Sequence, residues 1–233
     1  MLMTDIPAAR RALLAERFRQ VLTPPERVTE SADGTKKYLF RTQQGAYIES
    51  AYIPDGDRAT LCVSSQAGCR MGCKFCATGR QGLQHSLTAP EILNQIVSLP
   101  ERDSLTNVVF MGMGEPLDNY KNVLRFLELV SSENGLNIGM RHISLSTCGL
   151  VEKIYDLADR KLQLTLSVSL HAPNDEIRSR TMPVNRKWNV EQLLKACRYY
   201  SDVTGRRISF EYAMISGCLL YTSDAADDLI GVD

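Results

Sequence analysis

Residues 164–170 read LTLSVSL, and the alternation in this stretch decides the fold. Successive side chains of a strand point to opposite faces, so Leu164, Leu166, Val168 and Leu170 share one side and Thr165, Ser167 and Ser169 the other. Two further stretches repeat the pattern. HISLS at 142–146 sets Ile143 and Leu145 against Ser144 and Ser146, and ISFEYAM at 208–214 sets Ile208, Phe210, Tyr212 and Met214 against Ser209, Glu211 and Ala213.

Helical patterns separate these strands. One opens at 89–93 after LCVSS, a second lies near 119–131 after NVVFMG, a third near 150–158 and a fourth near 190–200. In the last, Val190, Leu193, Leu194 and Cys197 share one stripe, so Cys197 reads as core. Crossovers of this length require parallel pairing, in a barrel or a doubly wound α/β sheet. A solid barrel fills its lumen with bulky branched residues, whereas here three strands keep one face small and polar. With helices over the apolar faces, the polar faces line a lumen roomy enough for a ligand, as in an incomplete barrel open on one side. A one-sided antiparallel sheet wetted by solvent gives the same alternation, but its strands are joined by hairpins and not by helices.

Ahead of this core, residues 6–22 carry apolar side chains at helical spacing, TPPERV breaks the pattern, and ESADGTKKYLF places a turn between strand-like runs. We read residues 1–57 as a small helix-and-hairpin segment and 58–217 as the core. Lysine plus arginine and aspartate plus glutamate each total 27, so net charge leaves no nucleic-acid footprint and any such partner must be argued locally. Arg178, Arg180, Arg186 and Lys187, and again Arg206 and Arg207, are clusters that could meet phosphate, with a solvated helix face as the default. No run approaches the roughly 18–20 apolar residues of a membrane span, and the first residues lack the apolar centre of a signal peptide. A cytoplasmic protein with no membrane partner is expected. Seven cysteines, an odd number, then argue for free, metal-bound or catalytic thiols over structural disulfides.

Three of them crowd residues 68–82, GCRMGCKFCATGRQG. Thiolates of Cys69, Cys73 and Cys76, spaced C-x3-C-x2-C, can hold three irons of a 4Fe-4S cluster and leave the fourth iron open as a binding site. A structural zinc needs a fourth ligand, for which Cys62 or His85 is available. His85 and His142 otherwise read as surface or satisfied histidines.

With a strand before it and a barrel after it, that loop resembles the radical S-adenosylmethionine (SAM) superfamily. CVSSQAGCRMGCKFCATG, VVFMGMGEPLDN, ISLSTCGL, SVSLHAPNDEIRSRTMPVN and RRISFEYAMISG, in this order between about Ala46 and Gly217, resemble more narrowly the dual-specificity adenine-C2 methyltransferases of ribosomal and transfer RNA. The resemblance implies a partial (β/α)6 radical SAM barrel. It implies a 4Fe-4S cluster on Cys69, Cys73 and Cys76, with S-adenosyl-L-methionine contacted by Gly114, Glu115, Ser146, Ser169, Leu170 and His171. Read without it, Ser146 and Ser169 are small lumen residues and His171 is turn or capping chemistry.

The same resemblance implies the reaction. Carbon 2 of adenine is electron-poor and cannot attack a sulfonium methyl directly. In the family one SAM methylates a carrier cysteine, and a second, cleaved by one electron, yields the radical that activates that methyl group for addition to the base. Cys62 matches the thiol that resolves the protein–RNA crosslink and Glu49 the proton acceptor; alone they read as a strand cysteine and a hairpin carboxylate. The implied partners are 23S rRNA and tRNA and an electron donor such as flavodoxin or ferredoxin, with the enzyme a monomer. Carbon-8 adenine methyltransferases share most of these motifs, GEPL in place of GEAL favouring carbon 2, and a non-catalytic iron–sulfur or zinc protein is the alternative of another class. After Gly217 the family pattern stops. Residues 218–233, CLLYTSDAADDLIGVD, are expected to be translated sequencing adapter, leaving a truncated fragment that has lost its carrier cysteine and does not turn over.

Overall fold

The computed structural model describes residues 6–17 and 22–214, so the expected adapter tail at 218–233 lies outside the described residues. In chain order the elements are α1 (Ala8–Arg17), β1 (Arg27–Glu30), β2 (Lys36–Arg41), β3 (Tyr47–Asp55), β4 (Arg58–Cys62), β5 (Gln66–Gly68), α2 (Ala77–Gln81), β6 (Leu83–Ser86), α3 (Ala89–Val97), β7 (Asn107–Phe110), α4 (Tyr120–Val130), β8 (Ile143–Thr147), α5 (Val151–Asp159), β9 (Thr165–Ser169), α6 (Asp175–Thr181), α7 (Val190–Thr204) and β10 (Ile208–Glu211).

Eight strands form one sheet in the order β1-β2-β3-β4-β7-β8-β9-β10. From β4 to β10 neighbours run parallel, each reached through a helical crossover, which is the barrel arc expected from the alternation. The front segment differs from a detached hairpin. Strands β1, β2 and β3 form an antiparallel meander, and β3 pairs antiparallel with β4, setting Ala51 opposite Cys62, so meander and barrel share one sheet.

Register carries the two faces across that sheet. Cys62 stands beside Val109, Val109 beside Ser144, Ser146 beside Ser167, and Ser169 beside Glu211. On the opposite face Leu61, Val108, Ile143, Leu145, Leu166 and Val168 are at most 1% exposed and pack with helix residues such as Ile92, Phe126, Ile154 and Leu193 in one core. Each such side chain removed from water contributes about 1.5–3 kcal/mol, and together they hold the helices to the sheet.

The helices begin where their caps dictate. Thr88 and Glu91 form a reciprocal capping box ahead of α3, and Asn189 and Gln192 repeat it at α7, each cap contributing about 1 kcal/mol. Cys197 is buried in α7, as its stripe requires. One expectation fails at the far edge. Phe210 and Met214, placed on a helix-covered apolar face by their alternation, are 47% and 60% exposed; β10 is the last strand of the sheet among the described residues, and Ile208 on the same face packs against the core.

Candidate active site

The C-terminal ends of the parallel strands converge on a cavity of about 310 Å3. Cys69, Cys73 and Cys76 line it together with Gly114, Glu115, Ser146, Ser169 and His171. Leu170 does not: it is half-buried, and its backbone N–H donates to the Glu211 carbonyl at 3.1 Å. Glu49 and Cys62 do not line it either, although both belong to the polar sheet face, Glu49 two positions from Ala51 on β3 and Cys62 opposite Ala51. Glu49 is half-exposed and paired to Lys37 at 3.0 Å. The Cys62 thiol is half-buried and accepts a hydrogen bond from the backbone of Met111, itself a lining residue.

Short local bonds shape the cysteine loop. Gly68 ends β5 at φ +75°, where a Cβ would stand 1.8 Å from the Gly82 carbonyl, so only glycine lets the loop's two ends close on each other. Cys69 N–H then donates to that carbonyl at 3.1 Å, Cys76 N–H to the Cys73 carbonyl at 3.1 Å, and Cys76 caps the single turn of α2. Lys74 N–H reaches the Thr181 carbonyl at 2.9 Å, tying the loop to the end of α6. Burial pushes the Cys69 thiol up to about 11 and the Cys73 thiol up to about 12.

The donor set fits a 4Fe-4S cluster: none of the three thiols is in a disulfide, and all three line one cavity, where they could hold three irons.

Across the cavity, Gly114 sits at φ +96°, where a Cβ would meet Gln66 Cβ at 2.4 Å; this close approach lets the Glu115 N–H donate to Gln66 Oε1 at 2.9 Å. The Glu115 carboxylate is buried and accepts from Thr147 Oγ1 and Cys148 N, both at 2.8 Å, and from Leu117 N at 3.0 Å. Its pKa is raised, burial outweighing these donors. His171 stands at φ +52°, accepts from Ala213 N–H through Nδ1 at 3.0 Å, and packs its ring edge-on to Phe75 at 5.0 Å, so barrel and cysteine loop touch through it. Burial lowers its pKa and keeps the imidazole neutral.

Two residues of the site were absent from the sequence-based set. The Glu211 carboxylate accepts from Ser146 Oγ at 3.1 Å and Ser169 Oγ at 2.9 Å, joining three strand ends. Its place on the polar side of ISFEYAM was the signal for it. Arg178 overturns the phosphate-contact reading. Its side chain is fully buried, donating from Nη2 to the carbonyls of Cys148 at 2.7 Å and Ser169 at 3.0 Å, from Nε to that of Leu170 at 3.1 Å, and from Nη1 to Asn185 Oδ1 at 3.0 Å. Arg206 is diverted too, donating from Nη2 to Thr165 Oγ1 at 3.2 Å.

Fold and site together define an open parallel α/β barrel with a three-thiol loop folded over the lumen ends of its strands. The sequence profile of the Radical SAM superfamily matches residues 63–217, and the chain belongs to that superfamily. It is 49% identical over 218 residues to a probable dual-specificity RNA methyltransferase RlmN of Clostridium novyi (strain NT), covering 92% of this chain and 64% of the relative. A second protein of that name, from Lachnospira eligens, is 48% identical over 217 residues, covering 92% of this chain and 62% of the relative. The chain thus spans less than two thirds of these relatives. The crystal structure of a radical SAM methyltransferase from Sphaerobacter thermophilus superposes with a TM-score of 0.90 at 44% identity, covering 99% of this chain and 70% of that one.

Proposed function

We propose that this chain is the core of a radical SAM methyltransferase that adds a methyl group to carbon 2 of an adenine in 23S rRNA and tRNA through a carrier cysteine. The observation that carries the reading is the meeting of Cys69, Cys73 and Cys76 with Glu115, Ser146, Ser169 and His171 around one cavity. A 4Fe-4S cluster held by the three thiols would supply the electron for one-electron cleavage of SAM.

The chain's own residues orient and exclude. Gly114 lets the cavity wall pass against Gln66 where a side chain would clash, and the Glu115 carboxylate, fixed by its three donors, presents negative charge to the ammonium end of the cofactor. Ser146 and Ser169, held by Glu211, offer hydroxyls at fixed positions, and neutral His171 closes the side next to the loop. Cys62, half-buried at the end of β4, is assigned to resolve the crosslink. Glu49, half-exposed and paired through Oε1 to Lys37, is assigned to accept the proton. An electron donor of the flavodoxin or ferredoxin type and a cytoplasmic setting complete the proposal. Among the described residues no helix is long and apolar enough to cross a membrane.

Anaerobic reconstitution with iron and sulfide tests it. Electron paramagnetic resonance of the reduced chain should show a 4Fe-4S signal that shifts on adding SAM, and Cys73→Ala should abolish it. A signal indifferent to SAM, or zinc taken up in its place, rejects the reading.

A further inference from the structure

A second hollow, a groove of about 780 Å3, adjoins the cavity, with Met71 of the cysteine loop lining both. Arg70, Lys121, Lys153 and Lys187 face it from four different chain segments, against only Asp118 and Glu152. Two of these cations rest on aromatic rings. The Lys187 ammonium stands 4.0 Å from the ring centroid of Trp188, and the Lys153 ammonium 5.1 Å from that of Tyr120. Such contacts hold a long side chain in place without removing its charge.

The carboxylates hold these cations unequally: Arg70 Nε pairs with Asp118 at 2.8 Å, and the Lys153 ammonium pairs with Asp156, beyond the groove's lining, at 2.6 Å. Lys187 lies 3.7 Å from Glu152 with both side chains more than 60% exposed, a pair of the kind that contributes about 0–1 kcal/mol and exchanges readily for another anion. Lys121 is exposed and has no hydrogen bond or ion pair among the described residues. What the groove lacks is a chain of negative charges spaced along its length.

We propose that this groove seats the sugar–phosphate backbone of a single-stranded RNA segment whose neighbouring base enters the cavity. The proposal rests on the RNA-methyltransferase reading and adds to it a path for the substrate. Charge complementarity argues for the polyanion. Chemistry on a base also needs that base out of any stack, which a single strand or loop provides at least cost. Lys121 and Lys187, without a close carboxylate, would meet phosphate first, Arg70 and Lys153 would exchange Asp118 and Asp156 for it, and Trp188 would sense the exchange.

Trp188 is the chain's one tryptophan, so its emission reports this groove alone. The 233-residue chain is titrated with a fluorescein-labelled RNA hairpin carrying an adenosine in its loop, reading anisotropy and Trp188 emission together. Saturable binding should shift the emission. The triple variant Lys121→Ala, Lys153→Ala, Lys187→Ala, checked for folding by circular dichroism, should bind at least tenfold more weakly. Its salt dependence should flatten by about 2 in the log–log slope, since each phosphate contact on a single strand contributes about 0.7.

Binding by the triple variant equal to the parent, no emission change at saturation, or no binding at all overturns the groove. So does an acidic flavodoxin that moves the Trp188 emission when RNA does not. These failures leave a SAM-responsive cluster signal untouched. Loss of that signal with RNA binding intact would instead remove the enzymatic reading and spare the groove.

Discussion

Among the described residues Arg178 has no carboxylate within its hydrogen-bond shell; its guanidinium is satisfied by three main-chain carbonyls and one side-chain amide. Those carbonyls belong to Cys148, Ser169 and Leu170, at the ends of β8 and β9, where the cavity begins. Leaving a buried acceptor unpaired costs about 1–3 kcal/mol, so Arg178→Met should lower stability by about 3 kcal/mol or more in urea unfolding, with Arg178→Lys recovering only part. Equal midpoints for the variant and the parent would show that the guanidinium does not clamp these strands. At this scale the sequence was half legible. Cysteine spacing placed Cys69, Cys73 and Cys76, and strand parity placed Ser146 and Ser169 on the polar side. Arg178 was misread because charge suggested surface, whereas helical period sets it three residues before Thr181, which is also buried. Glu211 stood on the correct face, but nothing in a linear pattern announces that two serines from other strands bond to it.

Among elements, the contrast between β9 and β10 is the instructive one. Both alternate, yet Leu166 and Val168 of β9 are fully buried while Phe210 of β10 is 47% exposed. Alternation predicts which side chains share a face; what covers that face depends on neighbours brought by other parts of the chain. Helix positions were legible for the same physical reason, since α4 and α5 begin and end within a residue or two of their apolar stripes. The meander's attachment to β4 was not, because antiparallel pairing between β3 and β4 depends on register and not on composition. An apolar side chain on an edge strand invites pairing between molecules. Phe210→Ser should therefore reduce concentration-dependent association in light scattering while shifting unfolding stability by no more than about 0.5 kcal/mol. Unchanged scattering would place the sticky surface elsewhere.

At the scale of the molecule, Tyr38 and Phe40 of the meander and Leu145 and Leu166 of the barrel are members of one core. Gln95 of α3 fastens them further, accepting from Ser50 Oγ of β3 at 2.7 Å and from Ser64 N–H just after β4 at 2.8 Å. Meander and barrel should therefore open together. Hydrogen exchange of β2 and β8 amides should report the same opening free energy, and a β2 that exchanges far ahead of β8 would mark the meander as a separate unit.

The sheet's order also has a meaning in time. The antiparallel strands β1 to β4 are contiguous in the chain and need only tight turns, whereas each parallel strand must wait for an intervening helix. Local pairings of this kind form before distant ones. During synthesis, when N-terminal residues emerge first, the meander would thus be a finished edge waiting at the ribosome's exit, onto which β7 and then each later strand is laid in the order of translation.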